Sequence, residues 1–323
     1  MPTKEQCPCY SGETYSECCQ PYHEGKLPPN ALKLMRSRFA AYALNIPKYL
    51  IATTHPASPQ YNPNHELWSK RIAEFSSITT FSNLEILGFI EQGSFAIVTF
   101  VAHLAQQDQT TIYTERSYFE RIDGRWLYRN GQMADGRDPT LAPPDKIRLL
   151  PMAYYGNPIL KRVADPIEEI TDEIIQLVQD MKETMDSFEA IGIAAPQIHK
   201  SIRLFIIRQP VRDPEGVTEP HSIKVFINPE LTLPSHKTCV VSEGCLSIPG
   251  VRSEVERPRE ITVEYTDLDG SRTTQRFFGW DARVIQHEND HIDGILFPSR
   301  LTDEKQKDLE AYLQGLQHRL EDK

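Results

Sequence analysis

Several features that would mark a membrane, secreted or nucleic-acid-binding protein are missing from this sequence. The longest apolar run, residues 95–105, is interrupted by Thr99 and His103 and is far shorter than the ~20 residues of a spanning helix. No apolar stretch follows Met1, so no secretory signal is expected. Positive charge is scarce. Lys and Arg number 35 against 45 Asp and Glu, a net charge of −10, which speaks against nonspecific binding of nucleic acid or anionic membrane. The deficit is uneven, with residues 1–145 at −2 and residues 146–323 at −8. Cysteine is also sparse, at six in 323 residues, too few for a disulfide scaffold. Four of the six, Cys7, Cys9, Cys18 and Cys19, nevertheless crowd into one short stretch. A reducing, cytoplasmic setting is expected, and there such a cluster reads as metal ligands before disulfides.

The length suggests two domains, and 39% hydrophobic residues suffice for real cores. Residues 136–147 hold three prolines and a glycine with little to bury, the composition of a linker. Before it, residues 31–54 read as helix broken near Pro47, with Leu34, Phe39, Tyr42 and Leu50 facing a core. From residue 84 to 130 the signal is β, and Asp123-Gly124 marks a hairpin. His103 and Glu115 read there as ordinary strand positions. Beyond the linker, Thr171 is placed to cap a helix over 172–188. Short strands are expected at 203–208, 224–228, 238–247, 260–265 and 273–278, with a long loop over 210–222. A helix is expected from about Trp280 through His291. A last helix, capped by Thr302, carries a stripe of Leu309, Leu313, Leu316 and Leu320; with six acids against four bases in residues 302–323, packing on its own domain is its expected role. Both halves are therefore α+β.

His287-Glu288-Asn289-Asp290-His291 falls on the predicted helix. Residues four apart share a helix face, so both imidazoles can reach one metal ion and Glu288 can touch a water beside it. Glu243-Gly244-Cys245-Leu246-Ser247 adds a thiol at a strand end, and Gly192-Ile193-Ala194-Ala195-Pro196-Gln197 is a small-residue loop ending in an amide. With Tyr155-Gly156-Asn157-Pro158-Ile159-Leu160 and Gly279-Trp280-Asp281-Ala282-Arg283, these motifs in this order resemble the peptide deformylases over about residues 148–300. One thiolate and two imidazoles leave a tetrahedral position open, the layout of a catalytic site. A metal there acidifies bound water, and Glu288 would take its proton and pass it to the leaving amine.

The resemblance implies removal of formyl from the N-formylmethionine of nascent peptides. It implies Fe²⁺, or Ni²⁺, Co²⁺ or Zn²⁺, on Cys245, His287 and His291. The oxyanion donors it implies are the Leu246 N–H and the Gln197 amide. It lays Gly192 and Ile191 along the substrate backbone, sets Glu243 and Val284 at the methionine pocket, and matches Arg252 to an arginine that follows the cysteine segment. One departure is Ala190, where the family has a further glycine. Cys239 reads as a small buried strand residue rather than a fourth ligand.

The N-terminal cysteines give four thiols within 13 residues, the spacing of a closed structural Zn²⁺ site. They resemble the SEC-C motif, with Tyr10 where that motif has glycine. Residues 31–56, with Glu115-Arg116-Ser117 and Gly124-Arg125-Trp126, are similar to the YchJ-like family, which implies an NTF2-like fold. The expected organisation is a SEC-C element at 1–22, an NTF2-like domain at 23–135, a linker at 136–147 and a deformylase domain at 148–323 whose HExxH helix lies against antiparallel sheets. The zinc element suggests a ribosomal or protein partner, and neither nucleic acid nor membrane is expected to bind directly. Two rivals are carried forward: an amidase of the same fold acting on another acylated amine, and a noncatalytic adaptor working through the zinc element.

Overall fold

The computed structural model describes residues 6–107, 109–212 and 218–321. The chain divides into two compact units, Met1–Ile147 and Arg148–Lys323. No described helix is long and apolar enough to cross a membrane.

The first unit opens with the cysteine-rich turns and a short helix α1 (Gln20–His23), followed by α2 (Ala31–Ala43), α3 (Pro47–Ala52) and α4 (His65–Ile78). Asn30 caps α2 by accepting from Lys33 N at 2.8 Å, and Pro47 starts α3 where its missing N–H does no harm. α4 has no clear sequence signal, because Ile72 and Ser76 are its only buried residues and its apolar stripe is correspondingly thin. Four strands then form an antiparallel meander, β1 (Thr80–Gln92), β2 (Phe95–Gln106), β3 (Gln109–Ile122) and β4 (Arg125–Asp135). Ala96, Val98, Phe100 and Ala102 alternate along β2 to line one face, where they meet Phe119, Trp126 and Tyr128 of the sheet and Leu34, Met35 and Phe39 of α2.

Residues 136–147, whose composition suggests a free tether, lie instead against the other face of this sheet. Arg116 donates from Nε to Leu141 O at 2.8 Å and from Nη2 to Thr140 O and Ala142 O. Thr99 donates to Leu141 O, and the Pro143 ring lies where a Cβ on Gly88 would stand. Proline stiffens the strap, and its carbonyls rather than its side chains hold it down.

In the second unit α5 (Asp172–Ser187) is followed by β5 (Gly192–Ala194), β6 (Leu204–Arg212) and β7 (Thr218–Thr232), then by the ribbon β8 (Thr238–Cys245) and β9 (Ile248–Pro258). β10 (Glu260–Thr266), β11 (Arg272–Phe278), α6 (Gly279–Ile292) and α7 (Asp303–Glu321) complete it. Five strands form one sheet in the order β11-β10-β7-β6-β5. Both faces are buried at its centre, which is why β6 opens with an unbroken apolar run, Leu204 to Ile207. Phe205 and Ile207 face Ala282, Val284 and Ile285 of α6, while Leu204 and Ile206 face Val178, Met181 and Met185 of α5.

Three expectations are corrected. The Thr171 hydroxyl makes no cap bond; it is engaged by the Glu173 carboxylate. Much of the expected loop over 210–222 is hairpin, because Val211 pairs with Glu219 and Arg212 with Thr218; residues 213–217 lie outside the described residues. β9 appears where Pro249 and Gly250 had hidden a strand. Leu309, Leu313 and Leu316 of α7 pack with Ile248, Val255 and Leu296 of their own unit; the side chain of Leu320 lies outside the described residues.

Candidate active site and structural metal centre

Two elements meet at the candidate site. α6 is the best-buried helix of the second unit, with Ala282, Ile285 and Ile292 inaccessible on the sheet side. The same 3.6-residue repeat turns His287 and His291 toward the end of β8. Their rings lie 5.0 Å apart, nearly perpendicular. Cys245 closes β8 as the strand turns into β9, with Sγ 3.3 Å from His291 Nε2. The ligand atoms of Cys245, His287 and His291 all lie within 4.8 Å of one another.

Glu288 is buried beside this trio, and among the described residues its Oε2 has no hydrogen-bond partner. Burial drives the carboxyl up to about 7, against the pull of His287. Gly192 explains how the carboxylate comes so close to β5: a Cβ on that residue would collide with the Glu288 carboxyl. Gln197 is inaccessible on the loop after β5. Its Oε1 accepts from Ala194 N at 2.8 Å, which turns its NH₂ toward Cys245 Sγ at 3.6 Å and Ser247 Oγ at 3.4 Å.

A second layer of charge stands behind the ligands. Glu243 Oε2 accepts from His287 Nδ1 at 3.1 Å and from Arg257 Nη2 at 3.0 Å, while Oε1 accepts from Arg257 Nε at 2.7 Å and Arg283 Nη1 at 2.5 Å. Arg257 continues to Asp290, which also takes Arg300. Although burial opposes it, hydrogen bonds from His287 and Arg257 hold the Glu243 carboxyl down at about 2. Burial alone would depress His287, but Cys245 and Glu243 outweigh it and carry the ring up to about 10. His291, buried with the charge of His287 beside it, is held well below its ordinary value. Cys245 and Glu243 both favour a positive charge at His287. The donor set and the unpartnered Glu288 Oε2 fit a resident ion.

The remaining candidates fall around this centre. Gly192 is buried and Ile191 is 41% exposed at the edge of β5. Val284 is buried one turn before His287. Leu246 sits in the turn after Cys245, half-buried. Arg252 is exposed and lies over Gly244, donating to Ser242 O. Glu243 is a correction: its carboxylate is spent on two arginines and His287, so only its backbone is left to border a pocket. Ala190, where the family has glycine, does not take a positive φ; the left-handed residue is Glu189, with φ 53°, one position earlier. Cys239 is half-buried, with Sγ 3.3 Å from Arg283 Nη2, outside the ligand trio. The partnership of Arg257, Asp290 and Arg300 has no local sequence signal, because only the folded ribbon brings Arg257 of β9 to Asp290 of α6, where Arg300 returns from the turn after the helix.

In the first unit Cys7, Cys9, Cys18 and Cys19 are all buried, with their four Sγ atoms within 4.8 Å of one another. Hydrogen bonds from Cys19 and Cys7 hold Cys9 far below its ordinary value, while burial lifts Cys18 to about 12. Four buried thiols packed this closely resist ionising together, and a divalent ion would be the neutralising partner that lets them. Tyr10 adopts φ 55° where the motif has glycine. The strained backbone is held by its hydroxyl on Phe81 O at 3.0 Å and its ring edge-on to Phe39.

Comparison with known proteins separates the two units in the same way. Residues 149–307 match the polypeptide deformylase family model, and residues 30–131 match the middle NTF2-like domain of YchJ. A peptide deformylase of Cytophaga hutchinsonii is 40% identical over 168 residues, covering 52% of this chain and 90% of that protein. One from Treponema pallidum is 38% identical over 157 residues, covering 49% and 90%. A solved structure of the class I type b peptide deformylase of Acinetobacter baumannii, bound to Met-Ala-Ser, aligns at 37% identity with a TM-score of 0.44, covering 47% of this chain and 98% of that one.

Proposed function

The chain belongs to the peptide deformylase family, and from that premise we propose that residues 148–323 hydrolyse the formyl group from the N-formylmethionine of newly made peptides. The observation that carries this reading is the convergence of Cys245, His287 and His291 beside the buried, unpartnered Glu288 Oε2. Cys245, His287 and His291 would hold the ion, Fe²⁺ or alternatively Ni²⁺, Co²⁺ or Zn²⁺, all of which this donor set suits. When bound, the ion supplies Lewis acidity at the reacting carbonyl.

The protein groups do the rest. Glu288 accepts a proton from the attacking water at Oε2 and returns it to the departing amine. The Gln197 NH₂, fixed by Ala194 N, and the Leu246 N–H donate to the oxygen that gains charge. Ile191 and Gly192 lie along the peptide as an exposed strand edge, Val284 borders the methionine side chain, and Arg252 faces the peptide beyond it. Glu243 holds His287 by Nδ1, so the ring turns its other nitrogen toward the ion.

The test is turnover of formyl-Met-Ala-Ser by Fe²⁺- or Ni²⁺-loaded protein beside Glu288→Ala loaded identically. The parent is expected to turn over and the variant to lose ~10²-fold or more. Bound metal with no turnover by either protein overturns the reading, and acetylated peptides then test the rival amidase. In the first unit we propose a Zn²⁺-bound SEC-C element on an NTF2-like domain, with residues 136–147 as the connecting strap, docking to a ribosomal or protein partner in the cytoplasm.

A further inference from the structure

The charges behind the candidate metal ligands form one chain, and it leaves the interior at Arg300. His287 Nδ1 donates to Glu243 Oε2 at 3.1 Å. Arg257 donates to both Glu243 oxygens, from Nε at 2.7 Å and from Nη2 at 3.0 Å, and from Nη1 to Asp290 Oδ2 at 2.8 Å. Arg300 closes on Asp290 from the other end, with Nη2 on Oδ1 at 2.6 Å and Nε on Oδ2 at 3.2 Å. The side chains of Glu243 and Arg257 are each 5% exposed and that of Asp290 8%, whereas that of Arg300 is 44% exposed.

These links join three elements. Glu243 and Arg257 belong to the β8–β9 ribbon, Asp290 to α6, and Arg300 to the 3₁₀ turn Phe297–Arg300 that follows it. Asp290 lies between the two histidines, three residues after His287 and directly before His291. A contact that fixes Asp290 therefore fixes the helix turn that carries both imidazoles. Among the described residues, Arg300 is the one hydrogen-bond partner of Asp290 Oδ1. Without it the buried Asp290 carboxylate has Arg257 alone, and a buried charge that loses one partner draws harder on the other. Glu243 then shares Arg257 unequally, and its hold on His287 Nδ1 loosens.

Charge alone predicts the opposite effect. Deleting a cation near a metal site leaves the site more negative and favours the ion. Arg300 is half-exposed, so solvent and salt screen its field, whereas the two-point geometry of its fork is not screened. Geometry is the larger effect. We infer that Arg300 is a positioning residue for the metal ligands, acting on His287 through Asp290, Arg257 and Glu243, so that retention of the ion depends on an arginine outside the ligand trio. The inference rests on the metal site proposed above at Cys245, His287 and His291.

The test uses the full chain loaded with Co²⁺, whose affinity is read by chelator competition and whose ligand geometry is read by visible absorption. Arg300→Gln is expected to lose about tenfold in Co²⁺ affinity, the lower end of what removing an outer partner costs. Its absorption bands shift, and kcat for formyl-Met-Ala-Ser falls with KM unchanged. Arg300→Lys keeps the charge and one contact and is expected to recover to within about threefold of the parent. Lys305→Gln breaks another ion pair of the C-terminal segment, from Nζ to Glu254 Oε2 at 3.1 Å, and is expected to bind Co²⁺ as the parent does. If Arg300→Gln fails to fold, Asp290→Asn with Arg300→Gln leaves no uncompensated buried carboxylate and is expected to show the same loss. Unchanged or tighter binding in the Arg300→Gln protein, no recovery in Arg300→Lys, or an equal loss in Lys305→Gln overturns the inference. A parent that binds Co²⁺ without hydrolysing formyl-Met-Ala-Ser sinks the deformylase reading alone, and the affinity ratios still decide this one.

Discussion

Gly192 and Glu288 illustrate how the chemistry depends on single atoms. β5 runs so close to α6 that the Glu288 carboxylate lies where a Cβ would be. Gly192→Ala is expected to leave the fold intact and to displace Glu288, lowering kcat ~10²-fold, since ångström-scale misplacement costs about that much. Measuring kcat and the melting temperature together checks both halves of the claim. Glu115 gives a prediction of a different kind. Burial raises its carboxyl above the ordinary glutamate value, against Arg38, Ser117 and Tyr128, which favour the ionised form; the Tyr42 and Tyr113 hydroxyls also face it. A raised acid binds its proton more tightly folded than unfolded, so its contribution is present below the ordinary value and is lost as pH rises through the raised one. The parent's melting temperature is therefore expected to fall, relative to Glu115→Gln, as pH rises from about 4 to 7; parallel curves would refute this.

At the scale of elements, α6 supplies both histidines, and the β8–β9 ribbon supplies the cysteine and the charges behind it. The ribbon is two-stranded, and its register is fixed where Glu243 meets Ser253 and Gly244 meets Arg252. Glu243 joins the two elements by holding His287 and two arginines at once. Glu243→Gln keeps its volume but removes the charge that orients His287, so a loss of metal affinity of about 10–100-fold is expected in a chelator competition. The helix was legible from its sequence because His287, Glu288 and His291 repeat at helical spacing over apolar Ala282, Val284 and Ile285. The ribbon was half legible. The Glu243–Ser247 segment stood out, but β9 was masked by Pro249 and Gly250 at its start, and Arg257 and Asp290 are 33 residues apart in sequence. Nothing local marks such a pair.

At the scale of the whole molecule, two ligand clusters that could each hold a cation stand among the described residues, one in each unit, the first of four sulfurs and the second of three ligands. Metal analysis of the purified chain is expected to give about two ions per chain, and Cys9→Ser with Cys18→Ser about one, with the remaining ion still supporting hydrolysis. Loss of both ions would mean that the two sites are not independent. The sequence by itself marked out the candidate ligands, the candidate acid–base residue, the α+β class and the two halves, because each rests on local spacing: i and i+4 on a helix, clustered thiols, alternation along a strand. Only the tertiary structure decided that residues 136–147 lie strapped on a sheet, that Glu243 serves His287, that Tyr10 bears a left-handed turn, and that Arg38 and Glu115 both meet Tyr128. Those outcomes depend on which distant groups share a buried, low-dielectric space, and no spacing along the chain encodes that.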